Sequence, residues 1–563
     1  MKRNIIIVEA LSTGYNYVED VACRGYNPVV LECNKTGAMA VEREHTYKKI
    51  KYPFEIIQEC ASYEDTVNLV KSYKPVIIVP GTESGVELAN RLSESLGLPG
   101  NPTSILDSMT KKNAMHEALK KAGIRSILGQ VVSSVEEAQK FLEENHLDKG
   151  VVKPLESAGS QGLALCDSRE QVLEHVKASL FTKDLFGKMN KSVLVQERIV
   201  GTEYIVNTAV SAGKIRLTSI LVYKKIKTSE GGYIYKYGET INELLPQHCE
   251  LVEYAFNTVK AIGIQYGMVH GEYMIDEKGP VLIEVNCRPM GCSQPAEYMD
   301  LIYGQHETDT VLDAYLQPEK FAEDAKKPYR PLRKGALKMM VIPRDIEAES
   351  LSLWKIAENL RSTYQISLAP MNEFKHFAKT IDLETAGGLI YLVHDDENVV
   401  KEDLQLLCDL EEKFFSLLYN EGTSRPWFIK KDGILQDIEK TLAETHCSGN
   451  TLVVTENPYP IENVMTVKSS ELDSIYYRFN QVVICLSEEL LTLKEAECLD
   501  RIFKAMKLVK ENGRVIIPES TYQYLTYARS GAEALLQVLR YRIEAPKPDC
   551  VKYVIGTRKA FGC

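Results

Sequence analysis

The chain has 563 residues, of which 44% are hydrophobic and 26% are charged, an ordinary globular composition. At roughly 150 residues per domain, this length excludes a single small module and predicts three or four domains. The 67 basic and 78 acidic residues leave a net charge of -11, which excludes the broad basic surface of a nucleic-acid-binding protein. Any polyanion that binds is therefore expected to be small and locally enclosed.

Cysteine usage and hydropathy indicate the cellular environment. The 13 cysteines are odd in number and include no Cys-x-x-Cys pair, so we expect reduced thiols rather than a disulfide framework. The apolar run from Ile5 to Val8 ends at Glu9, far short of an export signal, and no later run approaches the ~18 residues that span a bilayer. We expect a cytoplasmic protein that binds neither membranes nor nucleic acids.

Residues 1–100 are predicted to form a doubly wound parallel sheet. Strands at 4–9, 28–32 and 75–79 alternate with helices at 15–24 and 62–72. The turns after the first and last strands contain Gly14, Gly81 and Gly85. These glycines either permit tight turns or admit a ligand at the carboxyl ends of the strands, where such sheets bind their ligands.

Residues 101–330 are predicted to form a second domain. Its expected elements are a helix at 104–122 before Gly123, strands at 130–132, 150–153 and 163–166, a helix from about 170, a strand-rich stretch at 192–226, a helix at 251–262 and a hairpin at 268–286. Charged, proline-bearing residues 326–333 are typical of a linker. Residues 331–430 are expected to form a smaller α/β subdomain, with a boundary near 425–433 before a last domain at 431–563.

The hairpin carries the most informative residues. A three-residue loop ending at Gly279 places Glu272 directly opposite Glu284, and strand alternation puts Asn286 on the same face. Facing acids destabilise a sheet by about 0.2–1 kcal/mol, so a cation is expected between them. Mg²⁺ with phosphate oxygens suits such donors. The alternative is a solvated hairpin whose glutamates face water.

Three further features indicate a functional site less specifically when each is considered alone. Arg288 follows the hairpin and could contact a phosphoryl group or form a surface ion pair. Lys153 ends a strand before the small residues Ser157, Gly159, Ser160 and Gly162, which suit a phosphate loop or a flexible turn but do not form a Walker motif. The segment from Gln196 and Glu197 to Glu203 could hold an adenine or act as a hinge.

These features occur in one order: Lys112 eleven residues before Gly123, Lys153 with its loop, Gln196 to Glu203, Glu272, and finally Glu284, Asn286 and Arg288. The order resembles the ATP-grasp superfamily of carboxylate–amine ligases over about residues 1–420. Within it, the chain looks most like the L-amino-acid ligases that make dipeptides, and more distantly like biotin carboxylase and D-alanine ligase. The resemblance implies an ATP-grasp fold preceded by the parallel-sheet domain and followed by a small α/β lid.

The resemblance also implies the roles of individual residues. ATP would be bound by Lys112, Lys153, Ser157, Gly159, Ser160, Gly162, Gln196, Glu197, Ile199, Glu203 and Lys236, with Lys111 an alternative to Lys112. One or two Mg²⁺ ions, or Mn²⁺, would be bound by Glu272, Glu284 and Asn286, and Arg288 would stabilise an acyl phosphate. Met290 and Cys292 stand where glycines are expected, which alters the substrate pocket.

The implied activity is ATP-dependent coupling of an amino-acid carboxylate to an amine, with ADP and phosphate as the other products. Two alternatives remain. A carboxylase-type enzyme would use bicarbonate, although the chain has no Met-Lys-Met biotin-carrier motif. A non-catalytic scaffold would bind ATP without hydrolysing it, although it would have no need of Glu272, Glu284, Asn286 and Arg288 together.

The last domain resembles the second half of a class I methyltransferase. Strands are expected at 451–455, 481–486 and 514–517, with a helix at 493–510 ending at Gly513. After the first strand, that family has a glycine-rich turn, whereas this chain has Glu456-Asn457-Pro458-Tyr459-Pro460, which cannot bring backbone close to a cofactor. We expect a non-catalytic module that forms a homodimer or covers the ligase site.

Overall fold

The structure is a computed structural model. The residues that it describes are 3–34, 38–153, 163–182, 190–227, 233–347, 357, 360–368, 376–381, 383, 385–413, 441–443, 445, 450–455, 458, 461, 464–485, 501–502, 504–506, 508–518, 541–543 and 553–558. The chain divides into two compact units. Unit 1 comprises Met1–Pro343, Ser367–Pro370 and Lys379–Val400, and unit 2 comprises Arg344–Ile366, Met371–Ala378 and Lys401–Cys563.

Unit 1 begins with a parallel four-stranded sheet in the order β3-β2-β1-β4, which confirms the predicted doubly wound arrangement. Its elements are β1 (Asn4–Val8), α1 (Asn16–Cys23), β2 (Asn27–Glu32), α2 (Ala38–Tyr47), β3 (Glu55–Gln58), α3 (Tyr63–Ser72), β4 (Pro75–Pro80) and α4 (Val86–Ser95). Ile5, Ile6 and Ile7 are fully buried because both faces of the sheet are covered. The sequence analysis did not predict α2 or β3.

The glycine turns of this sheet pack against one another. A Cβ atom on Gly14 would overlap the Gly81 carbonyl oxygen, and one on Gly81 would overlap the Glu9 carbonyl oxygen. Gly85 has the same relation to the Val8 carbonyl oxygen. These glycines therefore bring the two turns into backbone contact at the carboxyl edge of the sheet, as tight packing requires.

The predicted continuous helix at 104–122 is wrong. A short 3₁₀ turn at Thr103–Ile105 leads into α5 (Leu106–Thr110), and a separate helix, α6 (Lys112–Lys121), follows. Between them Lys111 is extended, with φ -109° and ψ 121°. Tertiary packing overrides the local helix preference here, because α5 and α6 both pack against the same strand, Gly279–Asn286.

A four-stranded antiparallel sheet follows, in the order β5-β8-β6-β7. Its elements are β5 (Gly129–Val132), α7 (Val135–Glu144), β6 (Gly150–Lys153), β7 (Ala164–Cys166), α8 (Arg169–Ser179) and β8 (Val193–Glu197). Phe141, Val152 and Val176 belong to the core that joins the sheet to its helices. Lys153 and Glu197 lie at the ends of neighbouring strands.

In the largest sheet of unit 1 the neighbouring strands pair antiparallel, although they do not all follow one another in chain order. Its strands run in the order β13-β12-β9-β10-β11-β14 and then Gly388–His394. The elements are β9 (Thr202–Ser211), β10 (Lys214–Lys227), β11 (Tyr233–Thr240), α9 (Pro246–Ile262), β12 (Tyr266–Asp276), β13 (Gly279–Asn286), α10 (Ala296–Tyr303), α11 (Glu307–Leu316), α12 (Pro318–Asp324) and β14 (Lys334–Met339). These two antiparallel sheets follow the parallel sheet along the chain, in the order that the resemblance implies.

Unit 2 contains a six-stranded sheet. Its strands, in spatial order, are Val464–Val467, Thr451–Val454, Phe479–Ile484, Val509–Pro518, Tyr553–Arg558 and Tyr541–Ile543. The first four are mutually parallel and the last two pair antiparallel. The predicted helix end at 510 is wrong, because Val509 already belongs to a strand and Asn512 has φ +60° at an irregularity within it.

Two expectations about the whole chain concern thiols and membranes. No disulfide bond joins the cysteines in the part of the chain that the structure describes. No helix within the described ranges is both long and apolar enough to cross a lipid bilayer. The boundaries of the four predicted domains stay predictions, and the boundary near 425–433 lies outside the described residues.

Candidate active site

The β12–β13 hairpin carries the three predicted metal ligands and places two of them, Glu272 and Glu284, opposite one another. Glu272 pairs directly with Glu284, and His270 pairs with Asn286, as the predicted register requires. The Asn286 side-chain amide donates to Glu284 Oε1 at 3.5 Å, so the two side chains share one face of the sheet.

The predicted turn is nevertheless different. Gly279 pairs with Asp276 and has φ +96°, which leaves a two-residue turn rather than a three-residue loop. The register then shifts between Glu272 and Tyr273, because Tyr273 pairs with Leu282. This bulge inserts one residue, and the predicted pairing is restored where the two glutamates meet.

Glu284 is neutralised by lysine in the structure. Its Oε2 lies 2.8 Å from Lys112 Nζ, and the Lys112 side chain is only 11% exposed. Burial by itself raises the pKa of Glu284, but the charges of Lys112 and Lys153 outweigh it and lower the pKa to about 2. Glu284 is therefore a stable carboxylate at physiological pH, ready to accept further cationic partners.

Lys112, not Lys111, faces this carboxylate. Lys112 begins α6, and although burial disfavours its charge, Glu284, Glu83 and Glu272 together raise its pKa. Lys111 forms an exposed ion pair with Asp107 at 2.8 Å. The extended backbone at Lys111 separates the directions of the two neighbouring side chains.

Lys153 supplies a second buried amine at the end of β6. It is 4% exposed, and burial together with the charge of Lys112 lowers its pKa to about 8. Two amines packed so closely suit a ligand with several negative charges. The predicted flap residues Ser157, Gly159, Ser160 and Gly162 lie outside the described residues.

The predicted adenine segment lies at the end of β8. Gln196 is 2% exposed, and within the described part of the chain its Nε2 is buried without a hydrogen-bond partner. Glu197 Oε1 accepts from the Leu128 backbone N–H at 2.8 Å, which links the segment to the residue that precedes β5. Ile199 lies half-buried in the linker to β9.

Glu203 has a lysine partner that the sequence analysis missed. Its Oε2 lies 2.7 Å from Lys225 Nζ, and that amine also lies 4.1 Å from the centre of the Tyr235 ring. Among the described residues Glu203 Oε1 is buried without a hydrogen-bond partner. Lys225 lies two residues after Tyr223, which pairs with Glu203. Only the register of β9 and β10 could therefore have identified Lys225 as the partner of Glu203.

Lys236, the loosest of the predicted ATP ligands, falls at a bulge in β11. Tyr235 pairs with Lys225 and Tyr237 pairs with Lys224, which leaves Lys236 as the extra residue between them. A bulge redirects a side chain relative to its neighbours on the strand. The structure thus places Lys236 on the strand next to the Glu203–Lys225 pair.

A buried polar chain that the sequence analysis also missed supports Glu272. His270 Nε2 lies 3.6 Å from Glu272 Oε1, and His270 Nδ1 is 2.8 Å from Asn207 Oδ1. The Asn207 amide in turn donates to Ser219 Oγ at 2.9 Å. Burial lowers the pKa of His270, so this chain orients the hairpin beside Glu272 without adding a full charge.

Arg288 lies at the edge of the parallel sheet of unit 1. Its Nε is 3.5 Å from Glu83 Oε2, on the turn after β4. The loop that follows Arg288 is held on both sides: Thr13 donates to the Gly291 carbonyl at 3.2 Å, and Glu307 Oε2 accepts from the Met290 N–H at 2.7 Å. Burial raises the pKa of Glu307 to about 7.

The same loop contains backbone strain. Cys292 and Ser293 have φ +69° and +45°, and Ser12, which accepts from the Ser293 N–H, has φ +50°. Positive φ costs free energy in residues other than glycine, and such residues concentrate at functional sites. The absence of the expected glycines at positions 290 and 292 is thus accommodated by strain and by external hydrogen bonds.

The residues present fit a nucleotide and a divalent cation. The unpartnered Gln196 Nε2 is a donor and the unpartnered Glu203 Oε1 is an acceptor, as a base and a sugar hydroxyl would require. Lys112 and Lys153 suit phosphates. No three His, Cys, Asp or Glu side chains within the described ranges are grouped closely enough to hold a metal ion, so Mg²⁺ at Glu272 and Glu284 would need phosphate oxygens as well.

Comparison with known proteins agrees with this arrangement. Residues 110–292 match the family described as phosphoribosylglycinamide synthetase, ATP-grasp (A) domain. Dapdiamide A synthase of Enterobacter agglomerans is 25% identical over 428 residues, which cover 74% of this chain and 97% of that protein. Over residues 110–292 the chain is similar to the ATP-grasp domain of that ligase family.

Solved structures with the same fold extend beyond the matched domain. The L-amino acid ligase of Bacillus licheniformis has a TM-score of 0.58 at 17% identity, covering 72% of this chain and 97% of that chain. The N5-carboxyaminoimidazole synthase of Aspergillus clavatus, in complex with ADP and 5-aminoimidazole ribonucleotide, has a TM-score of 0.54 at 13% identity, covering 73% and 99%. At such identities these likenesses concern the fold alone.

Proposed function

We propose that this chain is an ATP-grasp ligase that activates the carboxylate of an amino acid as an acyl phosphate and couples it to the amine of a second small molecule. ADP and phosphate are the other products. The observation that carries the proposal is the convergence of Lys112, Glu272, Glu284 and Arg288 around one hairpin. Similarity to dapdiamide A synthase along 97% of that protein's length supports it.

In the proposed mechanism, Lys112 and Lys153 hold the phosphates of ATP. Glu272, Glu284 and Asn286 hold one or two Mg²⁺ ions, or Mn²⁺, which when bound neutralise phosphate charge. Gln196, Glu197 and Ile199 frame the adenine, Glu203 accepts from the ribose hydroxyls, and Lys236 is a further phosphate contact. The substrate carboxylate then attacks the γ-phosphate.

Arg288 acts on the second half of the reaction. Its guanidinium stabilises the acyl phosphate and then the oxyanion that forms when the amine attacks the acyl carbon. The segment of Ser157, Gly159, Ser160 and Gly162 is proposed to cover the phosphates, because water would otherwise hydrolyse the acyl phosphate. Water exclusion thereby directs the activated acyl group to the amine.

The test is ADP formation with pairs of amino acids, with the amide product identified by mass spectrometry. Arg288→Ala and Glu284→Ala should each lower turnover by at least about 100-fold while folding survives. Arg91→Ala, an exposed arginine paired with Glu87, is the control. Normal turnover by either site variant would refute the proposed roles.

The same assay separates the alternative functions. ADP release that bicarbonate stimulates without any amino acid would indicate a carboxylase-type enzyme. ATP binding without hydrolysis in every substrate mixture would indicate a scaffold. Formation of an amide product supports the ligase and excludes both.

We also propose that the six-stranded sheet of unit 2 is a methyltransferase-like module without catalytic activity. Its support is the order of the four parallel strands. The second strand along the chain, Val464–Val467, lies on one side of Thr451–Val454, and the later strands lie on the other side, as in doubly wound nucleotide-binding sheets. The next residues contain two prolines and no glycine. Equilibrium dialysis of the full chain should show no saturable binding of S-adenosylmethionine, and micromolar affinity would contradict the proposal.

The substrates, the cellular location and the assembly are also proposed. Both substrates are proposed to be amino acids or closely related small molecules. A cytoplasmic location follows from the expected reduced thiols, and a homodimer through the last domain is the proposed assembly.

A further inference from the structure

Glu83 is an acid beside Arg288 that the proposed chemistry does not use. It lies on a single 3₁₀ turn, Glu83–Gly85, directly after β4. Gly81 and Gly85 pack against the β1 backbone without room for a side chain, so the position of this turn is fixed. Its side chain is 37% exposed, which leaves one side of the carboxylate open to a ligand.

The carboxylate of Glu83 is not satisfied by Arg288. The separation of 3.5 Å from Arg288 Nε exceeds the length of a good charged hydrogen bond. Within the described residues Glu83 Oε2 is buried and has no hydrogen-bond partner, and the same is true of the adjacent Ser84 Oγ. Burial raises the pKa of Glu83, with the charge of Glu284 adding to the effect against Arg288 and Lys112.

An arginine and an acid side by side match one particular ligand chemistry. An α-amino acid carries its ammonium on the carbon next to its carboxylate, so its site must present an anion directly beside the cation that binds the carboxylate. Arg288 and Glu83 provide this order, and the ammonium would donate to the Glu83 carboxylate from its open side.

We infer that Glu83 binds the α-ammonium of the substrate whose carboxylate is activated, and that this substrate is therefore a free α-amino acid. The inference rests on the proposed ligase activity. An N-acylated amino acid or a simple carboxylic acid would cover the open side of the Glu83 carboxylate without donating to it, which the enzyme should disfavour.

The test compares two substrates of one carbon skeleton in wild type and Glu83→Gln. ADP formation is measured with the α-amino acid that wild type uses best and with the same acid lacking the amine. Wild type should prefer the amino acid by about 10- to 100-fold in kcat/KM, and Glu83→Gln should lose most of that preference while the KM for ATP stays unchanged. Glu83→Asp, which keeps the charge, should retain part of the preference.

Glu87→Gln is the matched control, because Glu87 lies on the next helical turn, is 53% exposed and pairs with Arg91. It should keep the full preference. An unchanged preference in Glu83→Gln, or equal use of both acids by wild type, would overturn the inference while leaving the ligase function intact. Failure of every carboxylate and amine pair to yield ADP would instead refute the proposed function, and the inference with it.

Discussion

Glu203 and Lys225 form an ion pair that is largely withdrawn from water. The Glu203 side chain is 9% exposed and the Lys225 side chain 20%, and their charged atoms are 2.7 Å apart. Burial raises the pKa of Glu203, with Lys225 opposing the effect. A buried pair of this kind adds little net stability, but removal of one partner leaves an uncompensated charge.

We therefore expect Lys225→Met to lower the free energy of unfolding by about 2–3 kcal/mol, somewhat below the full cost of breaking a wholly buried pair. Urea unfolding measures this free energy. Lys224→Met, at the neighbouring exposed position, should change the free energy of unfolding by less than about 0.5 kcal/mol. The double variant Glu203→Gln with Lys225→Met should cost less than the sum of the single ones, and strict additivity would show that the two side chains do not interact.

The residues of the site differ in how far the sequence alone predicts them. Glu272, Glu284 and Asn286 were predicted to meet because a single hairpin fixes their register. Lys225 and His270 were missed, because their partners Glu203 and Asn207 lie on another strand. The register of the β9–β10 hairpin shifts between Leu217 and Ser219, far from Glu203, and β9 and β12 are joined by a long connection, so a local pattern predicts neither contact.

At the scale of elements, the break between α5 and α6 has the largest consequence for the site. The sequence from 104 to 122 contains no glycine or proline after Pro102, so nothing local predicts an interruption. The extended Lys111 starts a new helix at Lys112, which directs that side chain to Glu284. One helix through this stretch would have left the choice between the two lysines open.

The hairpin shows the opposite case, in which local errors cancel. The sequence predicted a three-residue loop, whereas the structure has a two-residue turn and a bulge. Gly279 has a positive φ at the end of this turn, which glycine adopts readily. The bulge restores the facing glutamates, so the predicted pairing was confirmed although the predicted turn geometry was wrong.

At the scale of the whole molecule, alternation of strands and helices was enough to predict the parallel sheet, whereas the ATP-grasp fold was predicted from the family resemblance of the ordered motifs. The spatial order β5-β8-β6-β7 was not predictable in this way, because β8 is inserted between strands that precede it in the chain. The same holds for β14, which pairs with β11 across about ninety residues. Long-range pairing depends on burial that only the assembled chain provides.

One buried histidine joins three elements of unit 1. His306 precedes α11, its Nε2 is 3.0 Å from Asp20 of α1, and its Nδ1 is 2.9 Å from Asp300 of α10. Burial alone would lower the pKa of His306, but the two carboxylates outweigh it and raise the pKa to about 10. Thr308 also donates to Asp20 at 2.6 Å, so the imidazolium completes a closed network.

This network makes the stability of unit 1 depend on pH in a defined direction. Because the folded pKa lies above the unfolded value of 6.5, the contribution of His306 is complete below pH 6.5 and is lost as the pH rises through about 10. His306→Asn should therefore lower the free energy of unfolding by about 3 kcal/mol at pH 6, and by progressively less from pH 7 to pH 10.

Urea unfolding at a series of pH values measures the difference between wild type and variant directly, so titrations common to both cancel. His146→Asn is the control, because His146 is exposed and its positive φ of 54° is one that asparagine tolerates. It should shift stability little, without a slope above pH 7. A difference for His306→Asn that stays constant from pH 6 to pH 10 would mean that the imidazole stabilises unit 1 by packing, and that its charge does not join the three helices.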